Sequence, residues 1–171
     1  MKATISLFLA FLSLYGCSSA QPIRTQAYAE LNPERTFEYD FPLVWKGIEE
    51  TLRNFKVVDR NPKNVDPLEM RNLTHRTLET DWIYGQSRDK YHEFQVNGSP
   101  KKIYLQTRFK YLLDAKSVLG GVHVKSQTIE EIERLNSNGT PAGYSQAESP
   151  DSSRSHELLE KIRLSILSGA P

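Results

Sequence analysis

With one cysteine in 171 residues, the chain has no second thiol for an intramolecular disulfide. It also has no thiolate cluster for structural zinc or an iron–sulfur centre, so packing must hold the domain together. An excess of either charge is missing too: 22 Lys and Arg face 21 Asp and Glu. Residues 1–16 contain one charged side chain, Lys2, and without them the count is 21 of each sign. No long-range field then draws the protein to nucleic acid or to an acidic surface.

Motifs that carry chemistry are also scarce. His75, His92, His123 and His156 stand nowhere at the i, i+4 spacing of a helical zinc pair with its glutamate. There is no Gly-x-Ser-x-Gly elbow, and Gly120-Gly121 lacks the Gly-Lys-Ser/Thr ending of a phosphate loop. Glu49-Glu50 and Glu130-Glu131 are adjacent in sequence and diverge on a helix or strand. The expectation is a protein with no catalytic set, no metal and no cofactor; a hydrolase built from carboxylates distant in sequence stays open.

The chain begins with MKATISLFLAFLSLYG, in which Lys2 precedes an apolar run from Ile5 to Tyr15. That is the layout of a secretory signal, shorter than the roughly 20 residues of a permanent transmembrane helix. Leu14-Tyr15-Gly16-Cys17 resembles a bacterial lipobox, with Tyr15 where a smaller residue is usual. The resemblance implies cleavage by signal peptidase II between Gly16 and Cys17, and acylation of Cys17. Two or three acyl chains anchor stably, each buried methylene contributing about 0.8 kcal/mol. Ser18, rather than an aspartate, follows the cysteine, which by resemblance to the sorting rule of Gram-negative enterobacteria implies the outer membrane, with the domain facing the periplasm. An ordinary secretory signal cleaved near Ser18-Ser19-Ala20 is the other reading of this stretch.

Residues 17–34 then read as a lipidated N-terminus and flexible tether, and residues 35–168 as a single domain. Thr36 to Asp40 alternates as a short strand, Asp40 suits an N-cap, and Pro42 suits a first helical turn. Phe41, Val44, Trp45, Ile48, Leu52 and Phe55 line one face of a helix over about 41–54. Lys56 to Arg60 is a second strand, and Thr77 to Tyr84 a third, with Leu78, Thr80, Trp82 and Tyr84 on a face expected to point inward. Asn97-Gly98 between alternating runs signals a hairpin. Within the second run, Lys102, Tyr104, Gln106, Arg108 and Lys110 share one face. This basic stripe is the candidate interaction face, an ordinary solvated strand being the alternative.

Ser117 to Gln127 reads as a further strand, with Gly120-Gly121 marking a bulge or a close backbone approach. Residues 136–153, rich in Ser, Gly, Asn and Pro, read as a long mobile loop that Tyr144 could pin. A stripe of Leu158, Leu159, Ile162 and Ile166 predicts a closing helix over 154–167. The order β-α-β-β-β-β-β-α gives an α+β domain of two layers, an antiparallel sheet against two helices.

Within that order, Phe37 to Leu52 (FEYDFPLVWKGIEETL), Asp59-Arg60 and Glu79-Thr80-Asp81-Trp82-Ile83 resemble the helix-grip domains of BamC-like lipoproteins. BamC is the C subunit of the β-barrel assembly machinery. BamC itself carries two such domains, and this chain has room for one. The resemblance implies a non-catalytic lipoprotein whose helix-grip domain docks a protein partner in the periplasm or outer membrane, in envelope assembly. Other helix-grip domains enclose an apolar ligand, so a lipid carrier or sensor is the alternative.

Overall fold

Asp40 starts the first helix: its Oδ1 accepts a hydrogen bond from the Leu43 N–H at 3.3 Å, one of the donors a helix start leaves without a partner. This is α1, Phe41–Thr51, which buries Phe41, Val44, Trp45, Gly47 and Ile48 on one side. It ends short of the expected 54, where Leu52 closes the last turn. The chain is described here by a computed structural model covering residues 23–25, 30–136 and 140–169. The leader, Gly16, Cys17 and the tether up to residue 22 lie outside the described residues.

Among the described residues, eight strands form one antiparallel, curled sheet: β1 Arg24–Thr25, β2 Glu34–Phe37, β3 Val57–Asn61, β4 His75–Thr80, β5 Ile83–Val96, β6 Ser99–Val118, β7 Gly121–Leu135 and β8 Pro141–Gln146. The long strand β6 organises it. On one side β6 pairs with β7; on the other it pairs first with β5 and then with β4. β7 carries β2 along its first residues and β8 along its last. The second helix, α2 Ser152–Gly169, packs against α1 and β7. The architecture is α+β, a sheet with helices on one face.

The core lies between that face and the helices. Trp45, Ile48 and Leu52 of α1 and its end meet Leu113, Val122 and Val124 of the sheet and Leu159, Ile162 and Ile166 of α2, each at most 1–2% exposed. The helices cross at Gly47, where a Cβ would stand 2.6 Å from Ile166 Cγ1.

Four expectations are corrected. The tether is not free up to residue 34: Arg24 and Thr25 pair with β5, and the Pro33 carbonyl accepts from Ser126 N–H at 2.7 Å. The strand over Thr77 to Tyr84 is interrupted at Asp81–Trp82. Glu79 faces Leu112 and Ile83 faces Phe109, so three residues of one edge oppose two of β6. One extra residue reverses the alternation, so Leu78 and Thr80 point in and Trp82 and Tyr84 do not. The Thr80 hydroxyl accepts the Tyr111 N–H at 3.0 Å at this step in the ladder.

Gly120 (φ 89°) belongs to the turn between β6 and β7, and the strand beyond it runs on to Leu135. The close approach expected here is at Gly121, where any Cβ would collide with the Phe37 carbonyl. Lastly, the segment 136–153 is not one mobile loop. It contributes β8, the Ala147 N–H donates to the Glu130 carbonyl at 2.9 Å, and α2 begins at Ser152. The Asn97-Gly98 hairpin is as read, both residues at positive φ (52° and 76°).

Candidate interaction face

β6 alternates as its sequence dictates. Leu105, Thr107, Phe109, Tyr111 and Leu113 are buried, and Lys102, Tyr104, Gln106, Arg108 and Lys110 take the face that carries no helix. The stripe is therefore brought together, but it is not a free basic surface. Arg108 forks onto Glu131 of β7, with Nη2 at 2.6 Å and Nε at 2.7 Å from Oε2. Lys110 Nζ pairs with Oε1 of Glu79 on β4. Lys102 Nζ stands 4.3 Å from the centre of the Tyr91 ring, which Tyr104 also meets at 5.8 Å. Cross-strand neighbours thus neutralise most of the positive charge.

What remains is aromatic. The reversal at Asp81–Trp82 sets Trp82 beside the stripe, and β8 brings Tyr144 from the other edge. The Arg108 guanidinium lies between these two rings, 4.5 Å from Trp82 and 4.6 Å from Tyr144. Tyr84, 66% exposed, meets Tyr144 edge-on at 6.2 Å. Hydrogen bonds to Glu131 and then Tyr84 raise the Arg108 pKa, so its charge is permanent. Lys110 Nζ also lies 5.1 Å from the centre of the Trp82 ring. At the margin Lys56 Nζ donates to Asp81 Oδ2 at 2.7 Å, and this bond, with the Trp82 N–H, holds the Asp81 carboxyl below its ordinary value. The face is an aromatic plate of Trp82, Tyr84, Tyr104, Arg108 and Tyr144, with Arg108 matched by the adjoining Glu131.

Tyr84 and Trp82 escape a sequence reading because strict alternation carries them inward with Leu78. Asp81 in mid-strand is the one local signal: its Oδ1 accepts the Trp82 N–H at 2.8 Å, a side chain competing with the ladder.

The helix-covered face holds a second group that sequence patterns did not single out. Between Gln86↔Gln106 and Tyr91↔Tyr104, four residues of β5, Ser87 to Lys90, oppose Leu105 alone. This bulge drives Asp89 and Lys90 inward, 5% and 4% exposed. Lys90 Nζ lies 2.7 Å from Asp89 Oδ2 and 3.4 Å from Oε2 of Glu130, which is wholly buried. Glu130 also accepts from Thr107 Oγ1 at 3.0 Å and from Asp151 N–H at 3.2 Å, with Arg154 Nη2 at 3.9 Å. Arg154 lies 4.0 Å over the Phe109 ring. The cluster joins β5, β7 and the start of α2. Its role is to fix that junction, since each carboxylate is engaged by a neighbouring cation or N–H.

The space between sheet and α1 is occupied by side chains. The Trp45 ring stacks on Phe41 at 6.2 Å and carries the Arg76 guanidinium at 4.6 Å on its face. An open cleft of about 710 Å³ lies outside, at the start of α1, with Lys46 and Arg71 on its walls, and another of about 380 Å³ lies beside β3. Among the described residues, no group of three His, Cys, Asp or Glu side chains converges as metal ligands would. The sequence matches no protein-family model, and no curated protein matches it.

Proposed function

We propose that this chain is a non-catalytic lipoprotein with a BamC-like helix-grip domain, a protein-interaction module tethered to the outer membrane. Cleavage after Gly16 leaves Cys17 as the acylated first residue, the domain faces the periplasm, and a protein partner docks on the helix-free face of the sheet. The observation that carries this reading is the plate of Trp82, Tyr84, Tyr104, Tyr144 and Arg108. These residue types are enriched where protein interfaces bury their centres. Matched charges let such a plate be covered without stranding an unpaired ion.

The test has two parts. Cys17→Ser should move the protein out of the membrane fraction and abolish acyl labelling; a variant that stays membrane-bound beside an unlabelled wild type overturns the anchor. Tyr84→Ala should weaken partner capture from detergent-solubilised envelopes while leaving thermal stability unchanged, because Tyr84 is mostly exposed. Truncating a residue at the centre of an interface costs about 2 kcal/mol or more, some thirtyfold in affinity. Undiminished capture by this variant contradicts the docking face.

A further inference from the structure

The cleft beside β3 holds an unbalanced pair of arginines. Arg76 of β4 is 5% exposed, fixed with its plane on Trp45, and donates from Nε to the Pro62 carbonyl at 3.1 Å and from Nη2 to the Lys63 carbonyl at 3.3 Å. Arg60 of β3 lies near enough to disfavour its charge. Burial lowers the Arg76 pKa, Glu49 raises it and Arg60 lowers it again. A single oxygen, Glu49 Oε1, serves both guanidiniums, 3.4 Å from Arg60 Nε and 4.0 Å from Arg76 Nη1. Neither contact is a good hydrogen bond, and Arg60 Nε is buried without a hydrogen-bond partner. Lys63 at the rim is matched by Asp59 at 3.3 Å. Three cations therefore face two carboxylates across about 380 Å³.

Two like charges held close at a cost, with one donor still unused, are what an added oxyanion would relieve. Guanidiniums suit phosphate in particular, because their planar forks match its oxygens and are weakly hydrated. We propose that this cleft binds a phosphate group, carried by a small phosphate ester or by a lipid headgroup. Arg60 Nε and the N–H bonds of Arg76 left over from Pro62, Lys63 and the 4.0 Å contact of Nη1 with Met70 Sδ are its donors, and Glu49 is the resident competitor that the phosphate partly displaces. The site lies at the β3 edge of the sheet, apart from the Arg108 plate, and does not depend on the docking reading.

Trp45 reports on it directly, since Arg76 lies on its ring. In the full chain carrying Trp82→Phe, in detergent, Trp45 is the remaining tryptophan. Titration with inorganic phosphate and with glycerol 3-phosphate at constant ionic strength should give a saturable change in its emission. Arg60→Gln should weaken binding about tenfold, the loss of one charge-assisted contact. Glu49→Gln, which removes the competitor, should tighten it. Both positions are partly exposed, so folding is not at stake, and circular dichroism checks it. Retention on phosphatidylglycerol vesicles but not on phosphatidylcholine assigns a lipid headgroup; saturation by glycerol 3-phosphate without vesicle retention assigns a free ester. A titration that does not saturate, or one that both variants leave unchanged, overturns the site.

Discussion

Glu160 shows how much one side chain does at the seam between sheet and helix. It accepts from Arg35 Nη2 of β2 at 2.6 Å and from Arg163 Nε at 2.9 Å. Those two hydrogen bonds, Arg35 first, bring its pKa from 4.5 down to about 2. A carboxyl depressed on folding contributes stability that is complete above its unfolded value and is lost as pH falls through its folded one. Glu160→Gln should therefore lower Tm at neutral pH, and the gap from wild type should close as pH is taken from 4.5 towards 2. Melting curves across that window check it; a gap independent of pH would mean that the contact acts through shape rather than charge. Glu130 makes the opposite case, a carboxylate wholly buried with Lys90 and Arg154 around it. Glu130→Ala leaves buried cations short of a partner and should cost about 3–5 kcal/mol in denaturant unfolding.

At the scale of elements, two glycines set how the layers meet. Gly47 lets α1 and α2 touch, and an added methyl 2.6 Å from Ile166 must push the helices apart. Gly47→Ala should destabilise by about 1–3 kcal/mol despite alanine's better helix propensity, and Ile166→Ala, which removes the colliding Cγ1, should cost less in the Gly47→Ala chain than in the wild type. Gly121 lies at φ 152° against β2. Gly121→Ala should detach β2 and speed amide exchange at Glu34 to Phe37 before the rest of the sheet. α1 was legible in the sequence because its cap, its proline and its apolar stripe are local, and the Asn97-Gly98 turn was legible for the same reason. The inversion at Trp82 was not, since it exists only relative to β6 across the ladder. β8 was hidden too: PAGYSQ has no apolar alternation, and it is a strand because the edge of β7 offers it partners.

For the whole molecule, the division of labour follows from a sheet with helices on one side. The covered side is filled by Trp45, Ile162 and their neighbours and tied by the Glu130 cluster. The open side carries the aromatic plate. Lys102, Tyr104, Arg108 and Lys110 were recognisable in sequence as sharing a face, because alternation along β6 is a property of one strand. The neutralisation of Arg108 by Glu131 and of Lys110 by Glu79, and the arrival of Trp82 and Tyr144, depend on register between strands and could not be read there. The docking claim is tested most directly by placing a photoreactive amino acid at Tyr84, on the open face, and separately at Leu164, exposed on α2, and irradiating intact cells. A discrete protein adduct from position 84 and none from 164 is the predicted result. Adducts from 164 alone, or from neither position, would contradict it.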